Sequence, residues 1–137
     1  MDEFDARDRF AAAPVARLAT VRPDGGPHVV PVTFAISLPS TIWLSVDEKP
    51  KRSRDLQRLA NIEAEGRVSL LVDHYDADWT TLWWVRVDGR ARVVYDADVW
   101  RRAVATLARK YPQYVRDSPA GPGVVVDVER WRYWSAT

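Results

Sequence analysis

Five basic side chains, Lys49, Lys51, Arg52, Arg54 and Arg58, fall within ten residues in the segment DEKPKRSRDLQRLANI (Asp47–Ile62), between two runs of strand composition. Ammonium and guanidinium groups with a hydroxyl among them, here Ser53, suit a phosphate or a carboxylate. Arginine can hold either anion through two parallel N–H···O bonds. Leu56, Leu59 and Ala60 stand at helical spacing, so one or two helical turns lying on a sheet are expected. Pro50 suits the first turn, and Ser53 belongs to the class that caps one. The unpaired N–H groups at a helix start would add their own attraction for an anion. A solvated basic turn is the plain alternative, and the rest of the chain has to decide between them.

The 137 residues are expected to form one domain, 1–137, long enough to bury a real core. Net charge is +1, so the basic cluster is local, and the broad cationic surface of a nucleic-acid binder is not expected. The lack of cysteine excludes disulfides, thiolate metal sites and a cysteine nucleophile. No run approaches the roughly 20 apolar residues that cross a bilayer. The start MDEFDARDRF is too charged for a signal peptide, so a cytoplasmic protein without a membrane partner is expected. Seven tryptophans point to more apolar surface than a small monomer hides.

The elements that must position the basic segment follow from pattern. A short helix is expected over 2–13, then a strand over Val15–Arg22, a PDGG turn, and a second strand, Pro27–Ser37. Pro31 in the middle of that strand puts it at an edge, at a bulge, or open to a ligand. A turn at Leu38–Ser40 leads to the third strand, Thr41–Asp47. Arg67–His74 is nearly continuous in apolar character and is read as covered on both faces. Leu82–Tyr95 is strand-like throughout, with Asp88–Gly89 as either a hairpin turn or a bulge. Asp96–Lys110 is an amphipathic helix capped by Asp96 or Asp98, and Val124–Ser135 is a last strand. Many antiparallel strands with few helices indicate a small barrel.

The tracts ARLATVRPDGGPHVVPVTFA (16–35), KRSRDLQRL (51–59), RVSLLVD (67–73) and VDGRARVV (87–94) occur in the order and spacing of pyridoxamine-5′-phosphate-oxidase-like proteins, which the chain resembles over nearly its whole length. Within that group it is most similar to the actinobacterial branch of flavin/deazaflavin oxidoreductases that use coenzyme F420. WTTLWWVRVDGRARV (79–93) and RWRYWSA (130–136) are similar to one small subfamily of that branch. The resemblance implies a mainly β fold with flanking helices, the FMN-binding split β-barrel. It further implies a homodimer that holds the cofactor in an interfacial groove and acts on a small-molecule substrate. Carried over by position, Arg52, Ser53 and Arg54 would take the phosphate. Val32 and Thr33 would lie along the ring and ribityl chain, with Trp43 and Ser45 nearby, and Lys49 and Lys51 would meet the acidic tail.

FMN is the nearest alternative cofactor, since it shares the ring shape and the ribityl phosphate. Cations beyond those needed for one phosphate favour F420 and its glutamate tail. A non-catalytic carrier, a haem-binding role and a nucleic-acid binder are the other readings. Asp73, His74, Asp76 and Asp78 (DHYDAD) are hard-ligand types, yet acidic residues crowd loops routinely, and no metal is expected. His28 is read as an exposed strand residue. Arg86 is read as a member of an ion pair. No acid/base pair is evident, and hydride transfer does not demand one.

Overall fold

The computed structural model describes residues 1–37, 39–45 and 52–137, with the side chains of 52–56 excepted. Helix α1, Glu3–Ala12, starts on a reciprocal cap in which the Asp2 carboxylate accepts from the Asp5 N–H at 2.8 Å and Asp5 accepts in return from Asp2. It carries Ala6 and Phe10, both fully buried, into the core. Strand β1, Ala16–Val21, turns through Gly25, whose φ of 89° favours glycine, into β2, Pro27–Val32. There follow β3 (Phe34–Ser37), β4 (Thr41–Leu44), α2 (Arg52–Ala64) and β5 (Arg67–His74). A 3-10 turn at Trp79–Thr81 precedes β6 (Trp83–Val94), α3 (Ala97–Lys110), α4 (Gln113–Arg116) and β7 (Gly123–Ser135). The Asp96 carboxylate caps α3 through the N–H groups of Asp98 and Val99. No helix among the described residues is long and apolar enough to cross a membrane.

The strands make one antiparallel sheet in the order β2-β1-β5-β6-β7-β4-β3. Its two outermost strands, β2 and β3, are consecutive in the chain and separated only by Thr33. The sheet therefore curls until its edges meet, and the chain itself crosses the seam at Thr33. This is the split β-barrel, mainly β with flanking helices. The expected single strand over Pro27–Ser37 is corrected to two, because its halves pair at opposite ends of the sheet, with β1 and with β4. Pro31 pairs with Arg17 on the outermost strand, where a missing N–H costs no ladder bond. Asp88–Gly89 is a bulge in one long strand, not a hairpin. A Cβ at Gly89 would run into the Asp127 carbonyl oxygen, which is why glycine stands there.

The barrel interior holds Leu18, Phe34, Ile42, Leu70, Val85 and Val87, all fully buried. Phe10 plugs it, 4.9 Å from the Phe34 ring and edge-on to Trp131 at 5.4 Å. A second cluster lies outside β3, β4 and β7, where Trp100, Ala103 and Leu107 of α3 meet Ala35, Val94 and Val125. The outer face of β2-β1-β5-β6-β7 remains open. Val29, Leu71 and Trp134 are 60%, 38% and 43% exposed there, so β5 is covered on one face only, against expectation. Trp83 packs on the core cluster and its neighbour Trp84 faces the other way, as strand geometry requires.

Candidate functional site

Where the chain crosses the seam, it opens a cavity of about 310 Å³ lined by Val15, Pro31, Val32, Thr33, Ser45, Arg58 and Tyr114. Each wall comes from a different element. The end of β2 supplies Pro31 and Val32, the seam supplies Thr33, and the chain just beyond β4 supplies Ser45. Arg58 comes from α2 and Tyr114 from α4. One guanidinium and three hydroxyls thus share the cavity with an apolar flank, a donor set that fits an anion beside a flat or sugar-like group. Arg58 is 7% exposed and Ser45 4%, so their polar groups act in a low-dielectric setting.

Polar contacts under α2 anchor the helix that carries Arg58. Gln57 Nε2 donates to Asn61 Oδ1 at 2.6 Å, and Asn61 Nδ2 donates to Thr20 Oγ1 at 3.1 Å. Asn61 is fully buried, so this pairing pins the helix to β1 one turn beyond Arg58. His28 stands opposite Thr20 in the β1–β2 ladder and is half-buried, not exposed as the sequence suggests. Its Nδ1 is sealed without a hydrogen bond among the described residues. Burial, then the charges of Arg22 and Arg58, hold its pKa below the ordinary histidine value.

The region after α3 grips the seam from outside. The Tyr114 hydroxyl lies 2.8 Å from Thr33 Oγ1. The Tyr111 hydroxyl accepts from the Phe34 N–H at 3.1 Å and faces the Pro14 and Phe34 carbonyl oxygens at 2.9 and 3.1 Å. Lys110 places its amine 3.6 Å over the Phe34 ring, with no hydrogen-bond acceptor among the described residues. Burial lowers its pKa to about 8 from 10.5. The folded-state value lies below the unfolded one, so the cost of burying the charge is complete below about pH 8 and gone above 10.5. Stability is expected to rise across that window by about 1–2 kcal/mol, allowing for partial solvent access and the cation–π contact. Denaturant titrations at pH 7.5 and pH 10 check this: Lys110→Met should lack the rise after the background common to both proteins is subtracted.

Of the residues singled out from sequence, Val32, Thr33 and Ser45 meet on one cavity. Trp43 does not join them. It alternates with the inward Ile42 and Leu44, packs against the α3 cluster, and donates its indole N–H to Ser37 Oγ at 2.9 Å. Lys49 and Lys51 lie outside the described residues. Arg52, Ser53 and Arg54 open α2, but their side chains lie outside the described set. Tyr114 carries no signal in the sequence, because YPQY has no periodic pattern, and only the fold brings it to Thr33.

Elsewhere, Asp88 is held by Ser69 Oγ at 2.7 Å, Arg86 at 2.9 Å and Arg130 at 3.3 Å, so Arg86 is an ion-pair member as expected. This network borders a shallow cavity of about 610 Å³ on the open sheet face. His74 Nε2 lies 3.0 Å from Asp76 Oδ2, and among the described residues no cluster could hold a metal ion.

Comparison with known proteins agrees with this architecture. No curated protein matches the sequence. A conserved hypothetical protein of Mycobacterium tuberculosis superimposes with a TM-score of 0.78 at 26% identity, covering 99% of this chain and 86% of that one. A FAD-binding protein of Mesorhizobium loti gives 0.68 at 22% identity, covering 97% and 92%. The haem storage protein of Vibrio cholerae gives 0.66 at 16%, covering 97% and 90%. At such identities the last two speak to the fold alone. Residues 4–135 match the family described as pyridoxamine 5′-phosphate oxidase, and this chain, split barrel and seam included, belongs to that family.

Proposed function

We infer that this protein is an F420-dependent oxidoreductase, built as one domain over 1–137, that moves hydride between the reduced deazaflavin and a small organic substrate. The observation that carries this reading is the convergence of Thr33, Ser45 and Arg58 on one cavity beside α2, the helix that the basic segment opens. Arg58 and Ser45 would hold the phosphate together with Arg52, Ser53 and Arg54. Thr33 and Val32 would flank the ribityl chain and ring, and Lys49 and Lys51 would meet the acidic tail. The cofactor, when bound, supplies hydride chemistry. The chain's own part is to fix the phosphate in a nearly dry corner and to hold one face of the ring against apolar walls. The groove is completed by a second copy docked on the open sheet face.

FMN remains the second reading, because a phosphate, a ribityl chain and a flat ring make the same demands on this cavity. The matched Mesorhizobium loti structure is described as FAD-binding, so that protein carries a flavin on the same fold. Side-by-side titrations with F420 and FMN, read by quenching of intrinsic tryptophan fluorescence, separate the two. F420 is expected to bind more tightly, with a preference that shrinks as salt rises. Equal affinities at low salt would turn the assignment to FMN, and a bound cofactor that reduces no electrophile would mark a carrier.

A further inference from the structure

We propose that Tyr114 is the proton donor of the reaction at this site and that Thr33 is the hydroxyl through which it is held and recharged. The proposal rests on the reductase reading and deepens it. Hydride addition to an electrophile leaves an electron pair that must be protonated, and among the described residues the cavity lining holds no carboxylate or histidine to do so.

The cavity wall narrows the choice. Val15, Pro31 and Val32 carry no side-chain proton to give. Arg58 cannot be deprotonated in a protein, and the alkyl hydroxyls of Thr33 and Ser45 are far weaker acids than a phenol. Tyr114 is thus the one lining residue among those described whose O–H can be given up. Its oxygen lies 2.8 Å from Thr33 Oγ1, so a phenolate formed there would at once gain a hydrogen bond from threonine. Thr33 sits at the seam, on the residue where the sheet changes edge, and its position is held by the Tyr111 contacts to Phe34. The donor therefore rests on a fixed point.

The step balances as follows. The electrophilic carbon of an enone-type substrate accepts a hydride, two electrons and a hydrogen, from the reduced deazaflavin. Its π electron pair moves to the adjacent carbon or to oxygen. That atom takes the proton from Tyr114 Oη, and the phenolate regains one from water by way of Thr33 Oγ1.

The test uses the F420-loaded homodimer with 2-cyclohexen-1-one in single turnovers, and the unloaded protein with 4-nitrophenolate as a probe for a hydroxyl donor. Tyr114→Phe should keep the F420 dissociation constant within about twofold. Its single-turnover rate should fall by about 10²–10³-fold, the range for general acid catalysis. Its affinity for 4-nitrophenolate should fall by about three- to tenfold, in line with one lost hydrogen bond. Thr33→Val should show a smaller loss of rate. Tyr111→Phe, which loosens the seam beside Thr33 but leaves the Tyr114 hydroxyl in place, should lower the melting point and cost the rate per folded protein far less than Tyr114→Phe. An unchanged rate or unchanged 4-nitrophenolate affinity in Tyr114→Phe overturns the proposal, as do parallel losses in the two tyrosine variants. Wild-type protein that binds no F420 would take down the cofactor reading, and this proposal with it. Normal F420 binding beside an unimpaired Tyr114→Phe overturns this proposal alone.

Discussion

Arg58→Ala is expected to weaken cofactor binding by about 3 kcal/mol, roughly 150-fold, the largest loss of any single cation in the basic segment. The magnitude follows from burial. Arg58 is 7% exposed on the cavity wall, so its charge meets a phosphate in a setting where water screens little. Arg52→Ala and Arg54→Ala are each expected to cost about 1.5–3 kcal/mol, and Lys49→Ala about 1 kcal/mol or less, as for a flexible cation beside a solvated tail. The competing structural account makes Arg58 a strut between α2 and the barrel. Arg58→Met separates the two, since it keeps an apolar stem and removes the charge. Thermal melts beside cofactor titrations decide the matter. If the methionine variant melts like wild type yet binds like alanine, the guanidinium serves the ligand. Wild-type affinity in both variants would sink the site assignment.

The second large effect concerns the open sheet face. Adjacent strands align Trp84 with Trp134, and Leu71 with Arg86, in register across β5, β6 and β7. Leu71 and Trp134 are 38% and 43% exposed on this face, an arrangement that suits the centre of a self-complementary interface with arginines at its rim. We expect a homodimer in solution, and expect Leu71→Asp with Trp134→Asp to raise its dissociation constant by at least 10³-fold, since central apolar anchors are worth 2 kcal/mol or more each. Sedimentation velocity at micromolar protein should show dimer for wild type and monomer for the double variant. Cofactor affinity should fall together with dimerisation if the groove is shared. The fold of the isolated chain should hardly change, because both side chains lie on the open sheet face outside the core. A wild-type chain that sediments as a stable monomer would remove both the dimer and the shared groove.

Elements whose causes are local could be read without the structure. Asp96 followed by an apolar stripe marks α3, and the structure places that helix at Ala97–Lys110 with the expected cap. Arg67–His74 is bounded as the pattern predicts, and the basic segment does open a helix. The clustering of basic residues before and within α2 is likewise legible in the sequence, and it is what the proposed anion site rests on. Even the faces of Trp83 and Trp84 follow from the two-residue period of a strand.

Pairing partners are another matter, since alternation tells which side a residue faces and not which strand lies beside it. PHVVPVTFAIS reads as one strand, and only closure of the barrel divides it at Thr33, because its halves must serve opposite edges of one curled sheet. The Asp88–Gly89 pair could have turned the chain back. The long ladder between β6 and β7 absorbs it as a bulge instead. Trp43 is adjacent in sequence to the inward Leu44 and so falls on the far side, with α3. Tyr114 is 81 residues from Thr33, and nothing in its own neighbourhood hints at their contact. The sequence alone determined helices α1, α2 and α3, the strand periods and the clustering of cations on which the proposed anion site draws, all of which depend on residues within a few positions of one another. The tertiary structure alone decided the seam, the cavity and the Thr33–Tyr114 pair, because each requires distant segments to be brought together by closing the sheet.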